Sequence, residues 1–291
     1  MPLSYNEGKA CDAVLRVLEA REGASRRNVR FPEQERHPAP IELACHIGDQ
    51  LYAIEHTGIE PFAGHMQMEA EAQRVLHPIE AIIASRLPPD DTFELSLPVN
   101  ALQGLKKKDL AQIQAALAAW VIATAPSVPV APYGRYLPSI KKTQPPGVPF
   151  VVRLDRFETP APPCLFMIKH YIAETELVAS WEARIRAACA KKFPKLEAWP
   201  QADKARTVLI LEDNDIQLTN PARVFDTLAA LQSEFTNWPD EIYLVGTIIK
   251  TPWYVHALRV GDRDYYTLSQ DGQCLTEFDV DGLIDVTGGR P

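Results

Sequence analysis

Pro40-Ile41-Glu42-Leu43-Ala44-Cys45-His46-Ile47-Gly48-Asp49-Gln50-Leu51-Tyr52-Ala53-Ile54-Glu55-His56-Thr57 reads as a β-hairpin. Gly48-Asp49 is a two-residue turn signal of the I′ or II′ kind between two alternating runs. A two-residue loop pairs Ile47 with Gln50, and therefore Glu42 with Glu55. Strand alternation then puts Pro40, Glu42, Ala44, His46, Leu51, Ala53, Glu55 and Thr57 on one face. The other face carries Ile41, Leu43, Cys45, Ile47, Tyr52 and Ile54, which predicts a core-facing surface.

The first face is chemically unusual. Residues directly opposite on paired strands have Cβ atoms about 4.5–5.5 Å apart. Two carboxylates at that distance repel, and one pKa rises. A bound divalent cation, a shared proton or a nearby arginine would each stabilise the pair. Magnesium-type cations take carboxylate oxygens plus water. Ala44 and Ala53 are small and leave room for another element or a ligand. The ordinary alternative is a solvated strand face with salt bridges to the arginines at 26–36. A loop of three or four residues would also remove the Glu42–Glu55 pairing and leave Glu55 and Thr57 on one face.

Composition bounds the rest. The 291 residues suit one large domain or two small ones, and 46% hydrophobic with 23% charged residues is an ordinary globular balance. No uninterrupted apolar run of about 18 residues is present, so no membrane span is expected. The net charge of −8 argues against sequence-blind nucleic-acid coating, although it leaves space for a local basic groove. The five cysteines (Cys11, Cys45, Cys164, Cys189, Cys274) form no CxxC pair. An odd, scattered set reads as buried free thiols in a reducing compartment, and the N-terminus shows no signal peptide. A cytoplasmic location is the expectation; oligomeric state is not readable.

The hydrophobic pattern predicts an α/β protein. Cys11, Val14, Leu15 and Leu18 follow helical spacing, with Gly23 as the stop. A helix is expected over 66–86, with a bend at Pro78, then a strand over 93–99 and an Ala-rich helix over 105–124. The Pro-rich stretch 126–163 is expected to be extended and turn-rich. Strands follow at 149–157 and 164–172, and an amphipathic helix at 174–192. The last third alternates strand 207–213, a helix from Pro221 to about 235 capped by Asn220, and strand 241–249. A closing hairpin is expected at 253–260 and 264–268, before a fraying tail. Apolar strands alternating with helices imply a partly parallel, helix-covered sheet.

A helix followed by one acid on a strand, a second acid on the next strand and a polar residue two positions on resembles the PD-(D/E)XK nuclease superfamily. That fold runs helix, three strands, helix, strand. Its Pro-Asp element is matched by Pro40-Ile41-Glu42, and its acid-x-Lys element by Glu55-His56-Thr57, with twelve residues between the two glutamates. Thr57 stands where the family has lysine, as in an acid-x-Thr variant. The resemblance implies a restriction-endonuclease-like core, a mixed sheet flanked by helices. Residues 1–291 would form a single nuclease-like domain, with 58–172 as a long helical and Pro-rich insertion and with the helix at 174–192 and the strand at 207–212 completing the core. It implies Mg2+ or Mn2+ held by Glu42, Glu55, the backbone carbonyl of His56, and Glu7 on the first helix. Glu42, Glu55 and Thr57 would be the catalytic set. Arg26, Arg27 and Arg30 would position a nucleic-acid backbone.

The expected activity is therefore divalent-metal-dependent phosphodiester hydrolysis of DNA or RNA. The alternative is a degraded nuclease fold acting as a non-enzymatic binding module, which the acidic balance and Thr57 favour. Candidates to replace the lysine are Arg74, Lys9 and His46. Five of the seven histidines (His37, His46, His56, His65, His77) lie close in sequence, a rival metal signal. Against it, His46 and His56 fall on opposite faces of the hairpin. Glu212-Asp213-Asn214-Asp215 reads as a strand-end turn before a cation site. No Walker loop, GxGxxG, GxSxG or HExxH is present, so nucleotide-fold, esterase and metalloprotease chemistry lack their signatures.

Overall fold

The computed structural model describes residues 6–35, 41–59, 64–88, 90–98, 100–131, 141–158, 166–171, 174–199, 204–213, 221–247, 252–261 and 275–287. Pro40, Asn214, Asn220, Cys164, Cys274, His37 and the expected strand 264–268 lie outside these residues. The chain divides into two compact units, Gly64–Glu176 and Ser4–Ala63 with Leu177–Pro291. Residues 64–176, close to the span 58–172 expected as an insertion, carry a sheet and a core of their own.

The first unit contains α2 (His65–Ala84), β4 (Asp91–Pro98), α3 (Lys107–Thr124), β5 (Val130–Ala131), β6 (Lys141–Thr143), β7 (Val152–Glu158) and β8 (Phe166–Tyr171). Its sheet order is β5-β7-β4-β8, with β6 on β7; β4 is antiparallel to β7 and parallel to β8. Alternation gives the sheet one apolar face, where Phe93, Leu95, Leu97, Val152, Leu154 and Phe166 meet Leu76 and Ile83 of α2 and Leu117 and Val121 of α3. Pro78 lies inside α2. Residues 107–127 form the one helix among the described residues that is long and apolar enough to cross a bilayer, with mean hydropathy 1.2. Its Ile113, Leu117 and Val121 are buried in this unit's core. The β4–β7 register sets Glu94 opposite Asp155, and Arg153 Nε donates to Asp155 at 2.8 Å.

The second unit holds the hairpin. Its elements are α1 (Glu7–Glu22), β1 (Arg26–Arg30), β2 (Leu43–Ile47), β3 (Gln50–Ile59), α4 (Glu174–Glu197), β9 (Arg206–Asp213), α5 (Pro221–Leu231), β10 (Glu241–Gly246), β11 (Trp253–Val260) and β12 (Leu275–Phe278). They build a seven-stranded mixed sheet in the order β1-β2-β3-β9-β10-β11-β12. The β3–β9 and β9–β10 pairs are parallel and the rest antiparallel. Parallel neighbours require crossover connections, and α4 and α5 supply them on the same face. Gly23 ends α1 in the left-handed conformation, φ 63°, as a glycine stop does.

The hairpin register is the one its turn dictates. Gly48 takes φ 59°, and Ile47 pairs with Gln50, Cys45 with Tyr52 and Leu43 with Ile54. Leu43, Cys45, Ile47, Tyr52 and Ile54 pack under Val14, Leu15 and Leu18 of α1. Ile41 departs from the expected face: it joins Ala44 and Ala53 under α4 and α5. β2 begins only at Leu43, so strand alternation does not extend back to Ile41. The acid-bearing face is thus a second core surface, closed by Trp181, Ile185, Cys189, Phe193 and Leu196 of α4. β1 was not readable as a strand because its burial is nearly all solvent-facing and its residues are Arg-Arg-Asn-Val-Arg.

The described cysteines Cys11, Cys45 and Cys189 are free and buried. Burial pushes the Cys45 and Cys189 thiols up to about 12 and the Cys11 thiol well above its ordinary value. Because the thiolate is the nucleophile, all three should resist iodoacetamide at pH 8 in the native protein and react once it is unfolded in urea. Peptide mapping reads this; rapid native labelling of Cys45 or Cys189 would contradict the packing.

Candidate active site

Glu42 immediately precedes β2 and Glu55 lies within β3, on the face covered by α4. The cation they share comes from α4. Lys192 Nζ donates to Glu42 Oε1 at 2.7 Å and to Glu55 Oε2 at 2.5 Å. One turn on, Lys195 Nζ lies 3.4 Å from Glu55 Oε1 and 3.9 Å from Glu33 Oε1. The fourth carboxylate oxygen, Glu42 Oε2, accepts the backbone N–H of His56 at 2.5 Å. All four oxygens of the acid pair therefore have a donor.

The cluster is dry at its centre and opens toward water at Lys195. Side-chain exposure is 0% for Glu55, 5% for Lys192 and 11% for Glu42, against 26% for Lys195. Burial raises the Glu55 pKa and Glu42 raises it further, while Lys192 and Lys195 pull it down. Burial alone would lower the Lys192 pKa, but Glu42 and Glu55 outweigh it and hold the ammonium charged.

The opposite face of β3 carries a second buried polar group. The His56 ring meets Glu212 Oε2 at 2.9 Å. Glu212 Oε1 accepts from the Asn6 backbone N–H at 3.0 Å and from Thr247 Oγ1 at 2.9 Å. Fully buried Glu212 thus ties together β3, the end of β9, Thr247 just beyond β10 and the start of α1, where a carboxylate is favoured by the helix dipole. Within β3, His56 joins the two groups: its ring holds Glu212 and its N–H holds Glu42.

The remaining sequence candidates separate. Thr57 is half-buried on β3, on the Glu55 face. Glu7 opens α1, which covers the other face of the sheet, and with Glu42 and Glu212 it helps raise the Cys11 thiol behind the larger effect of burial. Arg26 turns inward onto Asp12 at 2.6 Å and Glu19 at 3.0 Å. Arg27 and Arg30 face water, paired with Asp49 at 3.6 Å and Glu35 at 2.6 Å.

None of the three expected lysine substitutes is the residue that reaches the acids. Lys9 Nζ donates to the Val280 carbonyl at 3.0 Å, and Arg74 pairs with Glu71 on α2. The His46 ring is half-buried with Nδ1 lacking a hydrogen-bond partner among the described residues. Lys192 closes the expected helix at 174–192 and is not among the expected site residues; in the structure α4 continues through Pro194 to Glu197. The available signal was a lysine in an apolar row: Trp181, Ile185, Cys189, Lys192 and Leu196 follow helical spacing.

Among the described residues, no three His, Cys, Asp or Glu side chains converge as metal ligands. This leaves the histidine-based site without support there. The two facing carboxylates are a different case. Their hard oxygen donors suit Mg2+ or Mn2+, which bind through one or two carboxylates with water completing the shell. The Lys192 ammonium touches both acids at once. No protein-family model, no curated protein and no solved structure matches this chain.

Removing one member of a buried ion cluster leaves an uncompensated charge and typically costs about 3–5 kcal/mol. Lys192→Met should lower unfolding stability by that amount in urea titrations. Adding Glu55→Gln should return part of the loss. Independent, additive effects would show that the contact between these two residues carries no coupling.

Proposed function

We propose that the second unit is a divalent-metal-dependent phosphodiesterase with a restriction-endonuclease-like core, acting on DNA or RNA. One observation carries the proposal: a charged lysine reaches the facing Glu42–Glu55 pair from α4. In the PD-(D/E)XK pattern the lysine belongs two residues after the second acid, where this chain has Thr57. Lys192 supplies the missing positive charge from a neighbouring element, so the loss of the motif lysine need not mean the loss of its chemistry. The element order supports the same kinship. Helix α1, strands β1, β2 and β3, then α4 and β9 run in the sequence that superfamily uses, with the other unit inserted after β3.

In this mechanism Glu42 and Glu55 would hold the metal. A bound Mg2+ or Mn2+ would polarise the phosphate and lower the pKa of an attacking water. Lys192 stabilises negative charge developing on the phosphate oxygens, from a position already dehydrated, where such a charge acts strongly. The His56 N–H fixes Glu42, and the ring bonded to Glu212 fixes His56. Thr57 contributes at most a hydrogen bond.

A second function draws on a specific observation: Glu55 and Lys192 are almost wholly buried and already satisfied by each other. On that basis the unit is a nuclease-derived binding module whose former site serves as a structural ion cluster. Cleavage assays on plasmid, single-stranded DNA and RNA with Mg2+ or Mn2+ separate the two. The nuclease proposal expects metal-dependent cleavage that Glu42→Ala abolishes and that Lys192→Gln lowers by about 10²–10³-fold. Cleavage undiminished by Glu42→Ala would overturn this mechanism. No cleavage of any substrate, with the fold intact, would favour the binding module.

A further inference from the structure

We propose that the second unit carries a separate binding cavity, at the C-terminal end of α4, for a small arylalkyl amine: an aromatic ring bearing a cationic ammonium group. The cavity is lined by none of the members of the Glu42–Glu55 cluster, and the proposal does not rest on the phosphodiesterase reading.

The cavity measures about 400 Å3, within the range of about 300–1,000 Å3 that small-molecule sites occupy. It lies where the end of α4, the start of β9 and the turn ahead of β10 come together. Phe193, Trp199 and Trp238 supply aromatic walls, and the Phe193 and Trp238 rings meet with centroids 5.0 Å apart and planes inclined at 58°. Phe193 and Trp199 are buried and Trp238 is half-buried, so the core holds these rings in place. Trp238 already takes one cation: Arg259, which does not line the cavity, lies over its ring with Cζ 5.3 Å from the centroid.

Three features at the rim favour a positive group. Asp240 is exposed and anchored through Oδ2, which accepts the Thr207 backbone N–H at 2.7 Å and Thr207 Oγ1 at 2.8 Å. Glu197 is exposed and anchored through Oε1, which accepts from Asn237 Nδ2. Each carboxylate therefore keeps its other oxygen without a donor among the described residues. The end of α4, whose last residue is Glu197, adds the negative end of a helix dipole. Against these stands one lining cation, Lys204, which is exposed. Two acids and one lysine leave the charged lining one negative charge in excess, which a monocation balances. The aromatic walls select a ring, and cation–π attraction holds the ammonium beside them. An anion would meet two fixed carboxylates, and a neutral ligand would leave the excess charge in place.

The test is isothermal titration calorimetry of the full chain with phenethylamine, 2-phenylethanol and phenylacetate, which share a ring and differ in charge. Phenethylamine should bind about tenfold more tightly than 2-phenylethanol, and phenylacetate more weakly than either. Glu197→Gln keeps an acceptor for Asn237 and removes the charge. It should weaken phenethylamine binding about threefold while its melting temperature stays near that of the parent. Lys204→Gln removes the opposing charge and should tighten phenethylamine binding about twofold. Any one of four results overturns the proposal: no heat from phenethylamine at millimolar concentrations, equal affinity for 2-phenylethanol, tighter binding of phenylacetate, or phenethylamine affinity unmoved by both substitutions in folded protein.

Discussion

A charged lysine held between two buried carboxylates is the contact on which the second unit depends. Lys192 fastens α4 to both strands of the hairpin, through Glu42 at the start of β2 and Glu55 in the middle of β3. Around it the packing is apolar: Ile185, Cys189, Phe193 and Leu196 of α4 lie in the same cluster as Ala44, Ala53 and Leu209. In such surroundings the ammonium is held charged by the two acids it touches, against the cost of its burial. Stability and candidate chemistry therefore use the same atoms. A cluster of this kind adds little net stability over a well-packed apolar replacement, and is destabilising when only one member is removed.

β3 is the strand through which the two faces communicate. Glu55 points toward α4, while the next side chain, His56, points toward α1 and meets Glu212. The His56 N–H at the same time donates to Glu42 Oε2. The start of α1 is fixed by Glu212 through Asn6. Three helix–strand connections thus converge within a few residues of one another, all on charged or polar atoms that have been removed from water.

Much of this unit is legible from the chain because local signals agreed. Gly48-Asp49 fixed the turn, and the turn fixed the register, from Ile47 with Gln50 to Leu43 with Ile54. Continuous apolar runs marked β9 and β10 as buried parallel strands. What was not legible followed from tertiary placement. β1 is an exposed edge strand of arginines with no alternation to detect. Ile41 crossed to the other face because β2 starts later than the hairpin pattern suggests. Length alone allows two small domains, but no local signal marks residues 64–176 as carrying a core of their own. The largest gap in the site is Lys192, which closes the expected helix just before Pro194; only its place in the row Ile185, Cys189, Lys192, Leu196 marks it as facing inward.

The most direct measurement is a crystal structure determined from protein soaked with Mn2+ and thymidine 5′-monophosphate, with anomalous scattering used to locate the metal. The account predicts an anomalous peak bridging the carboxylates of Glu42 and Glu55, with Lys192 Nζ moved off them and onto a phosphate oxygen. Lys192 still seated between the two glutamates, with no Mn2+ beside them at saturating concentrations, would contradict it.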